Sequence, residues 1–88
     1  MPGITRVNKD TAGAVIIESL EPSVYVNGYN VALLGCLVKG HGGPPHSSPV
    51  MAEASSTVFA GGIAVCRSGD AASCGDLATG SDDVNAAG

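Results

Sequence analysis

Val24-Tyr25-Val26-Asn27-Gly28-Tyr29-Asn30-Val31 sets β-branched and aromatic residues on both sides of an Asn-Gly pair, the strongest short-range signal for a β-hairpin. The hairpin occurs twice. Sliding the sequence against itself by 34 positions lays Ser23-Val24-Tyr25-Val26-Asn27-Gly28 on Thr57-Val58-Phe59-Ala60-Gly61-Gly62, and carries Val31 to Val65 and Gly35 to Gly69. A further shift of 26 places Val58 on Val84, Gly62 on Gly88 and Ala54-Ser55 on Gly80-Ser81, so Gly80-Ser81-Asp82-Asp83-Val84-Asn85-Ala86-Ala87-Gly88 reads as a degraded third copy. Loops repeat too: a shift of 62 lays Asp10-Thr11-Ala12-Gly13 on Ala72-Ser73-Cys74-Gly75, with Ala12 where Cys74 stands. No window of about eleven residues keeps a helical apolar spacing free of Gly and Pro. The expected fold is therefore all-β, with three hairpin units closing around one axis, because repeats that cannot bury an apolar face alone pack on their copies. Chance similarity among segments rich in Gly, Ser and Val is the competing explanation.

Working outward, 88 residues suit one small domain spanning 1–88, and such a chain buries only about 60–65% of the surface its unfolded form exposes. Two Tyr, one Phe, no Trp and 13 Gly leave few bulky groups for a core, so a disulfide, metal or partner should contribute stability. The net charge of −4 comes from four scattered basic residues (Arg6, Lys9, Lys39, Arg67) against eight acidic ones. Without clustered Lys and Arg or stacking aromatics, nucleic-acid binding is not expected. The sequence shows no signal peptide and no apolar run long enough to span a membrane.

Three cysteines (Cys36, Cys66, Cys74) make an odd count in a chain without a secretory signal, which argues against a disulfide framework. Metal ligation is the better explanation. His41 and His46 share a Gly/Pro loop between Cys36 and Cys74, and imidazole with thiolate is a typical zinc donor set. From spacing alone these histidines are equally readable as solvated loop residues.

Three stretches carry a resemblance: Tyr25-Val26-Asn27-Gly28, then Gly69-Asp70-Ala71-Ala72-Ser73-Cys74-Gly75, and His41-Gly42-Gly43-Pro44-Pro45-His46-Ser47-Ser48-Pro49. They resemble the PAAR-repeat family, whose members sharpen the spikes of type VI secretion systems and contractile phage tails, and the likeness extends from about Arg6 to Gly88. The resemblance implies a small cone of short hairpins with a His/Cys metal site near its apex, seated on a trimeric β-helical spike, one tip per trimer. It departs from the pattern in places. The eponymous Pro-Ala-Ala-Arg positions read Asn30-Val31-Ala32-Leu33 and Ala64-Val65-Cys66-Arg67, Ala12 stands where many members carry a loop histidine, and Asn8 and Cys36 replace an Asp that Asp70 keeps.

The expected ligands are His41, His46 and Cys74, with Pro44-Pro45 stiffening the loop. Cys36 is a candidate fourth ligand, another loop oxygen or nitrogen or a water being the alternatives, and zinc is the expected metal with iron as second choice. Cys66 aligns with Ala32 and reads as a small buried residue, while Tyr25 and Phe59 read as core or base packing. Glu18, Glu21 and Glu53 could face a basic partner rim. The functional expectation is a structural tip in a virion tail or secretion spike, made in the bacterial cytoplasm and touching the target-cell membrane transiently. A metal-dependent protein-binding module is the alternative. A zinc hydrolase is disfavoured: no acid stands at motif-grade spacing from these ligands, and no small-molecule pocket is expected in so short a chain. With Gly88 ending the third unit, no toxin extension is expected.

Overall fold

The structure is a computed structural model that describes residues 2–21, 23–44 and 46–86. Ala87 and Gly88, which close the third repeat, and Pro45 of the Pro44-Pro45 pair lie outside the described residues. Among the described residues there is no helix, and the only multi-residue strands form two hairpins. In the first, β1 (Tyr25–Val26) pairs antiparallel with β2 (Tyr29–Asn30); in the second, β3 (Phe59–Ala60) pairs with β4 (Ile63–Ala64). Both turns have positive φ at both central residues, 53° and 85° at Asn27 and Gly28, 59° and 81° at Gly61 and Gly62. That combination is the turn whose twist matches paired strands, which is why Asn-Gly and Gly-Gly stand there.

The third unit is closed by the two ends of the chain. Ile4 N–H donates to Val84 O (2.8 Å) as Val31 N–H does to Val24 O and Val65 N–H to Val58 O (3.0 Å each), and Ala86 N–H donates to Pro2 O at 3.0 Å. Residues 81–86 therefore repeat residues 55–60 in space as they do in sequence. The Ser55 hydroxyl accepts from the N–H groups of Thr57 and Val58, and the Ser81 hydroxyl accepts from those of Asp83 and Val84.

A closed ring of backbone hydrogen bonds marks the axis. Thr5 N–H donates to Cys66 O (3.0 Å), Cys66 N–H to Ala32 O (2.9 Å) and Ala32 N–H to Thr5 O (2.9 Å), and all three residues are fully buried. A second cycle follows: Ile17 to Leu37 O, Ala52 to Ala71 O and Thr79 to Thr11 O, each at 2.9 or 3.0 Å. Three structurally equivalent units satisfy one another's donors and acceptors cyclically in this way, so strands too short to form a sheet still pair their backbone groups. The core is built from Ile4, Val7, Ile16, Val31, Leu33, Val38, Met51 and Val65 around small Ala and Cys side chains, and Cys66 is buried as its alignment with Ala32 requires. Tyr25 and Phe59 are not core residues: 62% and 57% exposed, they occupy matching outward positions beside buried Val26 and Ala60. Their third equivalent is exposed Asn85.

Three loops, residues 11–15, 37–50 and 71–77, are each closed by an isolated β-bridge (Thr11 with Val15, Leu37 with Val50, Ala71 with Leu77). They lean on one another through Lys39 N–H to Val15 O (2.9 Å) and Ser73 N–H to Val50 O (2.7 Å), forming the apex of a body 32 × 23 × 22 Å across.

Candidate metal centre

Within the loop 37–50, His41 N–H donates to His46 O (2.9 Å) and His46 N–H to Gly43 O (2.8 Å), a tight turn that sets the two rings 4.7 Å apart. The Lys39 carbonyl lies 3.0 Å from His41 Nδ1. In the neutral ring that contact takes the Nδ1 proton and leaves the Nε2 lone pair facing the neighbouring loop, the arrangement typical of a metal-binding histidine. There, Ala72 N–H donates to Asp76 O and Gly75 N–H to Ala72 O, each at 2.9 Å, and Gly75 at φ 93° bends the chain between Cys74 and Asp76.

The four side chains converge. His41 Nε2 lies 2.8 Å from Asp76 Oδ2 and 3.1 Å from His46 Nδ1, and His46 Nδ1 lies 3.4 Å from Asp76 Oδ2. Cys74 Sγ lies 3.4 Å from Asp76 Oδ2 and 3.9 Å from His41 Nε2, and all four donor atoms fall within 4.8 Å of one another. A tetrahedral zinc site with bonds of about 2.0–2.3 Å has donor–donor edges of about 3.3–3.8 Å. The observed separations bracket that range, so these residues could hold a metal ion with little movement. The Lys39 carbonyl and the Asp76 carboxylate raise the His41 pKa, while His41 and the Cys74 thiol lower that of Asp76. Protons and a cation therefore compete for the same atoms.

Sequence reasoning found His41, His46 and Cys74, which the fold brings together, and missed Asp76. The expectation that no acid stands at motif-grade spacing from these ligands overlooks Asp76, which is two positions beyond Cys74 and shares its loop. Cys36 does not join the cluster. Its fully buried Sγ accepts the N–H of Leu33 at 3.2 Å, the place taken by Asp70 on the N–H of Arg67 (2.8 Å) and by Asp10 on that of Arg6 (2.9 Å). Cys36 is a turn cap. Burial pushes its thiol pKa up and that of Cys66 to about 12, away from the thiolate that a metal requires.

Comparison with protein families matches the PAAR motif to residues 8–84, most of the chain and all three apex loops. The chain belongs to the PAAR-motif family. No curated protein matches it. The PAAR motif is associated with spike-tip proteins of contractile injection systems, a structural rather than an enzymatic family. In this PAAR chain the first apex loop carries Ala12, fully buried, and so places no donor in the cluster. No helix among the described residues is long and apolar enough to cross a membrane.

Proposed function

We propose that this PAAR protein is a single-domain structural tip, one copy capping the end of a trimeric β-helical spike in a phage tail or type VI secretion machine. The observation that carries this is the cyclic bonding of Thr5, Ala32 and Cys66, which makes one chain approximately threefold. A monomer with three equivalent units can meet three identical strand ends over one continuous patch, covering the backbone groups and apolar side chains that a β-helix leaves at its terminus. Tyr25 and Phe59, exposed at equivalent positions, supply apolar contact for that seat. The apex then faces outward and meets the target membrane briefly during contraction. A zinc ion held by His41, His46 and Cys74 would stiffen it, supplying stability that the small core lacks.

Native mass spectrometry of the protein mixed with the trimeric spike of its own machine tests this reading. The expected result is one tip per three spike chains, with Y25D/F59D losing the complex while its melting temperature stays near that of the parent, since exposed substitutions usually cost under about 0.5 kcal/mol. A spike that binds no tip, or three, would refute the cap.

A further inference from the structure

The apex holds more than the donors that two histidines and a thiol provide. We propose that Asp76 is the fourth donor of a closed two-loop site and that Gly13, on the third loop, is the wall that keeps Asp76 and His41 in register. The inference rests on the reading that the apex binds a metal, and it is independent of the spike.

Geometry carries the first half. Asp76 Oδ2 lies within 3.4 Å of each of the other three donor atoms, at 2.8, 3.4 and 3.4 Å from those of His41, His46 and Cys74, whereas His41 Nε2 stands 3.9 Å from the sulfur. A carboxylate at that spacing completes a tetrahedron of two imidazole nitrogens, one thiolate and one oxygen, with no position left open for a substrate or a reactive water. The set suits a borderline divalent ion such as Zn(II) or Co(II), since the oxygen disfavours soft Cu(I) and the thiolate disfavours Mg(II) and Ca(II).

The second half follows from what is missing at Gly13. A Cβ built there would lie only 2.2 Å from Asp76 Oδ2 and 2.5 Å from His41 Nε2, so the first loop presses bare backbone against the two donors that are closest together. Gly13 also sits at φ 84°, which an L-residue adopts only with strain. The first loop thus shapes the site without ligating, and Gly13 is a positioning residue rather than a ligand.

Cobalt(II) is the probe. Protein stripped by a chelator under reducing, anaerobic conditions is titrated with Co(II), and visible absorption is read for the intense bands of a tetrahedral ion and the thiolate-to-cobalt charge-transfer band. Wild type should take up one equivalent and show both. D76N should lose the tetrahedral intensity and bind more than about 100-fold more weakly, beyond the 10–100-fold typical of losing an outer hydrogen-bond partner. C36S should match wild type. G13A should lose cobalt with every donor still present. Total synthesis of the 88-residue chain with D-alanine at 13 separates strain from collision, because the D-residue accepts the positive φ and turns its methyl away from the donors; it should bind as wild type does. An unchanged D76N spectrum overturns Asp76 as a ligand, and L- and D-alanine chains that behave alike overturn the wall. A wild type that takes up no cobalt overturns the metal reading itself, an outcome distinct from either.

Discussion

Asp10 and Asp70 perform one task in two copies of the repeat. Each carboxylate receives the guanidinium of an arginine earlier in its turn, Arg6 at 2.7 and 3.1 Å and Arg67 at 3.1 and 3.0 Å, while also accepting that arginine's backbone N–H. In the middle copy Leu33 and Cys36 replace both partners, and the sulfur retains only the acceptor function. The alignment of Cys36 with Asp70 is legible in the sequence, but a cysteine five residues before His41 also reads as a ligand; the turn geometry shows that its sulfur caps the backbone of its own turn instead. Burial alone would raise the Asp10 pKa, yet hydrogen bonds from the Arg6 side chain, the Thr79 hydroxyl and the Arg6 N–H outweigh it and hold the carboxyl below its usual value. The unfolded chain therefore binds the proton more readily, so this contribution is complete above the ordinary carboxylate pKa of about 3.9 and is lost as pH falls through the lower folded value. D10N should cost about 1–2 kcal/mol at pH 7, with partial screening by solvent taken into account. Denaturant melts of both proteins from pH 7 to 2.5 should converge below about pH 4; a gap of constant size would mean that the charge contributes nothing.

Among the elements, the hairpins were legible and the apex only half so. Asn27-Gly28 and Gly61-Gly62 announce their turns because positive φ is a local demand that few residues meet. The third hairpin announces less, since residues 84–86 find their partners at residues 2–4, far away along the chain. Asp76 escaped for a related reason: Cys74 and Asp76 would diverge in most local geometries, and the bend at Gly75 that brings them together is visible only once the loop is closed by Ala71 and Leu77. If the metal stiffens these loops, H41A/C74S should melt at least about 10 °C below the metal-loaded parent, the shift expected for a loss of a few kcal/mol in a chain of this size. Chelator should bring the parent down to the same temperature and leave the double variant where it is. Equal melting of parent and variant, with or without chelator, would show that the loops hold their shape by hydrogen bonding alone.

At the scale of the whole molecule, the pseudo-threefold arrangement makes the order of the three units along the chain secondary to their order around the axis. Asn85 pairs with Gly3, and Ala86 N–H reaches Pro2 O, so residues 86 and 2 stand to the third hairpin as Val26 and Tyr29 stand to the first. A two-residue turn fits between them. Joining Ala86 to Pro2 through Asn-Gly and opening the chain between Gly61 and Gly62 would move the termini by one unit and keep every strand partner and all four apex side chains. Loop closure of this kind changes entropy only modestly, so the permutant should fold with a stability within about 2 kcal/mol of the parent and load the same equivalent of metal. Because a threefold spike presents three identical ends, it should also bind the spike with unchanged stoichiometry. Calorimetry, metal analysis and native mass spectrometry of the permutant read these three outcomes separately. A permutant that folds and loads metal but no longer binds would show that the spike distinguishes the unit containing the chain ends from the other two, and that the seat is not three equivalent contacts but one dominant contact flanked by two weaker ones.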